Sequence, residues 1–192
     1  AASAPANAVA FANFNTNASQ SNIMWKNGNA SNTSKNGTIF TTNTTTSTTP
    51  GSTIVDFNFL VGGLPQNVRA VFTLFGSTTN TPAIFVGGCP GPTCFIIQSN
   101  ITGSFSFVAQ AASGGSQTIG AYTIPDGTNL LTATNYVGAL IAGVALGSSA
   151  AFTGTDPAGG SINYTSDSMF GLDFANTSSR DFSMTLGSLT VP

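Results

Sequence analysis

The chain has 192 residues, a size at which a single all-β domain is common, and only 5% of them are charged, against about 25% in an ordinary soluble domain. Two Lys, two Arg, six Asp and no Glu or His give a net charge of −2. That balance leaves no basic patch for nucleic-acid phosphates, no basic amphipathic stretch for a membrane surface, and no imidazole or Glu for acid–base catalysis.

In chain order, residues 1–6 (Ala-Ala-Ser-Ala-Pro-Ala) look like the stretch that follows a signal-peptidase cut, which implies export. Ala8, Val9, Ala10, Phe11, Ala12, Asn13 and Phe14 alternate as a strand does. This segment reads either as the first strand of its own sandwich or as a donor strand pairing with the sheet of a neighbouring subunit. Residues 1–14 are therefore set apart as a leader and candidate donor strand, and residues 15–192 as a β-sandwich domain. Trp25, beside Ile23 and Met24, is expected in the core. Residues 26–50 are rich in Asn, Thr, Ser and Gly, with only Ile39 and Phe40 as anchors, and are expected to form an exposed loop or polar edge region.

Further along, Val55, Phe57, Phe59 and Val61 make one period-2 stripe. Val68, Ala70, Phe72 and Leu74 make another, with Arg69, Val71 and Thr73 on the opposite face. Phe105 and Phe107 alternate with serines, as do Phe182, Met184 and Leu186 with polar residues. The apolar run from Tyr136 to Leu146 is about half the ~20 residues that span a bilayer, so membrane insertion is not expected. It reads as a buried strand pair broken at Gly138 or Gly143. Turn signals such as Gly62-Gly63 and Asp126-Gly127 separate the runs. Many short strands so punctuated predict an all-β, single-domain antiparallel β-sandwich, jelly-roll-like. About 70% of the unfolded surface can be buried at this length, so no metal is needed for folding.

Cys89 and Cys94 are the only cysteines, in the run Cys-Pro-Gly-Pro-Thr-Cys. Pro90, Gly91 and Pro92 favour a tight turn that brings the two thiols together, so a structural disulfide is expected, consistent with an oxidising, extracellular setting. The chain cannot supply the two further soft ligands a zinc site needs. Asn-x-Ser/Thr sequons occur at Asn17, Asn29, Asn32, Asn36, Asn43, Asn100, Asn163 and Asn176. Those at Asn29, Asn32, Asn36 and Asn43 cluster and are the first candidates for glycosylation. A paired-carboxylate hydrolase would have to use two of the six Asp. These read instead as turn and cap residues, and the expectation is a protein without catalytic residues, metal or cofactor.

The run Gly160-Ser-Ile-Asn-Tyr-Thr-Ser-Asp167, then Leu172-Asp-Phe174, then Arg180-Asp-Phe-Ser-Met-Thr-Leu186, resembles the last strands of secreted PEP-CTERM proteins, the exosortase substrates of Gram-negative bacteria. Ile23-Met-Trp25, Thr53 to Phe59, Ile101 to Phe107 and Asn129 to Thr132 are similar to earlier segments of the same family. In that family the strands precede a sorting signal beginning Val-Pro-Glu-Pro. The resemblance therefore implies that Val191-Pro192 belongs within or beside that signal. It also implies release to the cell surface or biofilm matrix, and it carries no catalytic residues.

Three readings of function follow. The first is a structural protein that assembles with itself into a fibre by β-strand complementation, with extracellular polysaccharide as a further partner. The second is a monomeric adhesin or carbohydrate-binding module using Trp25, Tyr122, Tyr136 or Tyr164. The third is an archaeal surface thread or pilus-like subunit, which shares the physics of the first.

Overall fold

The computed structural model describes residues 11–16, 23–26, 36–88, 94–144, 149–155, 162–174, 181–186 and 189–190. Among these residues fourteen strands succeed one another: β1 (Ala12–Thr16), β2 (Ile23–Lys26), β3 (Thr38–Thr41), β4 (Thr53–Phe59), β5 (Val68–Ser77), β6 (Ile84–Phe85), β7 (Phe95–Ala109), β8 (Ser116–Ile119), β9 (Tyr122–Pro125), β10 (Asn129–Val144), β11 (Ala150–Gly154), β12 (Asn163–Thr165), β13 (Phe182–Leu186) and β14 (Leu189–Thr190). The fold is all-β and antiparallel, apart from the short parallel pair β14–β2. Twelve strands share one hydrogen-bonded sheet, and β8–β9 forms a separate hairpin.

The long strands β5, β7 and β10 are the spine of the sheet, in the order β13-β11-β10-β7-β5-β3-β2-β14. Each flank of this spine forks. The first half of β5 pairs with β4, from Thr53↔Phe72 to Phe57↔Val68, while its end pairs with β3. Along β10, Thr132–Thr134 pair with β12 and Leu140–Gly143 with β11. The pairing of β7 with β10 shifts register at several places between Asn129 and Ile141. Asn135 (φ 58°), Gly138 (φ 76°) and Asn100 (φ 57°) take left-handed backbone there, as residues at bulges do. Bulges bend a strand and increase its twist. The sheet consequently curls, and its inner face closes on a single core.

Alternation explains the filling of that core. In β5 the expected inward stripe Val68, Ala70, Phe72 and Leu74 is buried. Phe72 stacks on Phe107 of β7 with ring centroids 4.5 Å apart, and Phe107 lies 4.9 Å from Phe57 of β4. Trp25 is buried as expected. Val61, the last member of the β4 stripe, is exposed beyond the strand's end.

Three expectations are corrected. Tyr136 to Leu146 was expected as a strand pair; its described part belongs instead to the single strand β10, which runs through Gly138 and Gly143 without a turn. A bulge can absorb a left-handed glycine that would otherwise end a ladder. Within residues 26–50, expected as loop or edge, β3 is an interior strand between β2 and β5. Its polar character is tolerated because the buried Thr41 hydroxyl donates to the Gly51 carbonyl (2.7 Å) and accepts from the Leu74 N–H (3.0 Å). Finally, the expected boundary between residues 14 and 15 falls inside β1, which joins the main sheet.

Candidate functional site

β1 lies on the outer edge of β4, with Ala12 opposite Phe59 and Thr16 opposite Val55. Three features fix it there. The Leu60 N–H donates to the Phe11 carbonyl (2.8 Å). Asn58, which is buried, donates from Nδ2 to Asn13 Oδ1 (2.9 Å) and accepts from the Asn67 N–H (2.7 Å). The Phe14 ring packs at 4.9 Å from both Phe72 and Phe107. Such a strand is positioned by side chains as well as by its ladder.

On the far side of the curl, β13 pairs with β11, with Phe182 opposite Gly154 and Leu186 opposite Ala150. Its Phe182 ring lies over Gly154, where any side chain would collide with it. That ring is also 5.2 Å from Phe105 and from Phe152 and 5.4 Å from Tyr136.

Between β1 and β13 runs an open groove of about 750 Å³. Phe11 to Asn15 form one lip, and Thr153 to Thr155 with Asp181 to Thr185 form the other. Phe57, Phe105, Phe107, Leu131 and Tyr164 form an apolar floor. Among the described residues, β1 has no sheet partner besides β4 and β13 none besides β11. The groove is therefore bordered by two strand edges, each carrying backbone donors and acceptors that no ladder among the described residues uses.

The chemistry of the groove is apolar plus backbone. Among the described residues Asp181 is the one ionisable side chain on its lips, and the floor adds the buried Tyr164 phenol. Elsewhere, aspartates serve the backbone. Asp126 accepts from the Ala111 N–H (2.6 Å) and the Gly115 N–H (2.8 Å), and Asp167 caps a 3-10 turn through the Met169 N–H (3.0 Å). Among the described residues, no group of three or more His, Cys, Asp or Glu is placed to hold a metal ion. No helix among the described residues is long and apolar enough to cross a membrane.

Of the residues singled out in the sequence, Phe11, Ala12, Asn13 and Phe14 come together on the groove's lip, while Ala8, Val9 and Ala10 lie outside the described residues. Cys94 is buried immediately before β7; Cys89 lies outside the described residues. Asn36 and Asn43 flank β3 on exposed loops, where their Oδ1 atoms accept from the Asn80 N–H and the Ser52 N–H. Asn29 and Asn32 lie outside the described residues. The other lip, β13, was readable as a strand but not as a partner of this groove, because no local pattern encodes which distant edge it approaches. No family model matches the chain, and no curated protein or solved structure is significantly similar to it.

Proposed function

We propose that this chain is a non-catalytic structural protein of the cell surface or extracellular matrix that assembles into a fibre by strand complementation. The observation that carries this reading is the groove between β1 and β13, where two strand edges with no further sheet partner among the described residues flank an apolar floor. Soluble monomers usually guard such edges with charge, especially Lys. Here Asp181 is the one charged side chain among the described lip residues, which otherwise carry Thr, Ser, Asn and apolar groups, and the whole chain has four basic residues.

A second apolar surface supports association. Phe95 and Val144 are register partners, and with Ile84 on β6 they remain exposed, Ile84 at 62%. Contiguous exposed apolar side chains on a soluble protein commonly mark contact surfaces. Of the aromatics that the adhesin reading would use, Trp25, Tyr136 and Tyr164 are buried and Tyr122 is half-buried. The Cys89–Cys94 bridge and glycans on Asn36 and Asn43 belong to the proposal as extracellular features, and the resemblance of the closing strands to exported proteins agrees with them.

Negative-stain electron microscopy of the purified chain at rising concentration tests the reading. Regular filaments are expected. Monodisperse monomers at high concentration would refute it, and so would turnover of any substrate.

A further inference from the structure

We infer that the groove between β1 and β13 is a strand-acceptor site for residues 1–10 of a second copy, and that β1 stays on its own β4 in the assembled state. This rests on the strand-complementation reading above and says where the donor goes.

The shape of the site selects a strand. An occupant between β1 and β13 can satisfy both open edges only if it presents backbone N–H and C=O groups on both sides, as an extended peptide does. A compact apolar molecule would fill the floor and leave both edges unpaired. The floor is apolar, lined by Phe57, Phe105, Phe107 and Leu131, so the occupant must bring uncharged side chains.

Residues 1–10, Ala-Ala-Ser-Ala-Pro-Ala-Asn-Ala-Val-Ala, meet that requirement: they carry no charged side chain and nothing larger than Val or Asn. Pro5 lacks an N–H and is poorly suited to a strand paired on both sides, which leaves Ala6 to Ala10 as the pairing portion. That portion is five residues long, as is β13. Extended at ~3.3 Å per residue, ten residues reach about 33 Å, roughly twice the length of β13.

The segment enters a neighbour's groove more readily than its own. It joins β1 at Phe11, which borders the groove, so folding back beside its own β1 calls for a tight turn next to Phe11, where the sequence has Ala8-Val9-Ala10. None of these residues is a turn former. Exchanging β1 itself is disfavoured. It would strip Phe14 from Phe72 and Phe107 and break the Asn13–Asn58 contact in every copy until a replacement arrived.

Cysteine cross-linking of the full chain tests the assignment. Chains carrying Ala8→Cys are mixed with chains carrying Ser183→Cys, an exposed residue on the β13 lip, then oxidised, and the linked peptides are identified by mass spectrometry. The expected result is an interchain 8–183 link forming at least about tenfold faster than with Thr73→Cys on the outer face of β5, because docking raises the local concentration. In parallel, Asn13→Cys and Asn58→Cys are placed in one chain and, separately, in two chains. A link within one chain supports a retained β1. An interchain 13–58 link would overturn the groove assignment while leaving strand complementation standing. Filaments that yield neither interchain link would also overturn it, as would native mass spectrometry showing a small apolar molecule resident in the groove. Monomers alone would sink both this inference and the reading it rests on.

Discussion

Tyr136 is fully buried in β10, and its hydroxyl donates to the Phe75 carbonyl (2.7 Å). Gly76 and Gly103 are register partners on β5 and β7, and they leave the space this hydroxyl occupies, since a Cβ at either would sit 2.6 Å from it. Tyr136→Phe removes this buried hydrogen bond, so a loss of about 1 kcal/mol is expected in urea denaturation. Burial also pushes the phenol above its ordinary value of 10.0. Below that value both folded and unfolded chains hold the proton, and the stabilisation is complete. Above it the unfolded chain loses the proton first, so stability falls as the solution becomes more alkaline. Denaturation midpoints at pH 8 and at about pH 11 should differ more in the native chain than in Tyr136→Phe. The sequence contained all three residues, but nothing local says that two glycines on separate strands face one tyrosine. That juxtaposition depends on register, and register is a property of pairing.

The strands themselves were largely legible. Val68 to Leu74 and Phe105 to Phe107 alternate cleanly because one face of each meets the core and the other meets solvent. Legibility failed where polar residues are buried with their hydrogen bonds satisfied, as in β3 at Thr41, and where glycine marks a bulge rather than a turn, as at Gly138 in β10. Asn58 belongs to the same class: a buried polar residue that ties three strand ends together at Asn13, Asn67 and its own β4. Asn58→Ala leaves the Asn67 N–H and the Asn13 amide without this partner, and an expected cost of about 2 kcal/mol follows. Hydrogen exchange should localise the damage. Amides of β1 and of the β4–β5 connection are expected to lose protection, while those in the middle of β7 keep theirs. Uniform loss along β7 would show that β1 is not an independently anchored element.

Across the whole molecule, the scarcity of charge governs how copies meet. A net charge of −2 spread over 192 residues gives little repulsion for salt to screen, so assembly driven by apolar contact and backbone pairing should hardly respond to NaCl. Sulfate should promote it by strengthening apolar burial. Turbidity or scattering across a tenfold NaCl range, with sulfate in comparison, checks both. The same scarcity makes a single introduced charge informative. Thr185 is exposed on the β13 lip of the groove, so Thr185→Lys places an ammonium group beside the open edge, where a docking strand would have to desolvate it. Lysine there should act as edge lysines do in natural sheets, blocking pairing without disturbing the fold. The expected outcome is a chain with unchanged circular dichroism and denaturation midpoint that elutes as a monomer, while Thr73→Lys on the outer face of β5 assembles normally. Equal loss of assembly in both variants would point to general charge repulsion rather than to the β13 edge. Unimpaired filaments from Thr185→Lys would remove that edge from the assembly altogether.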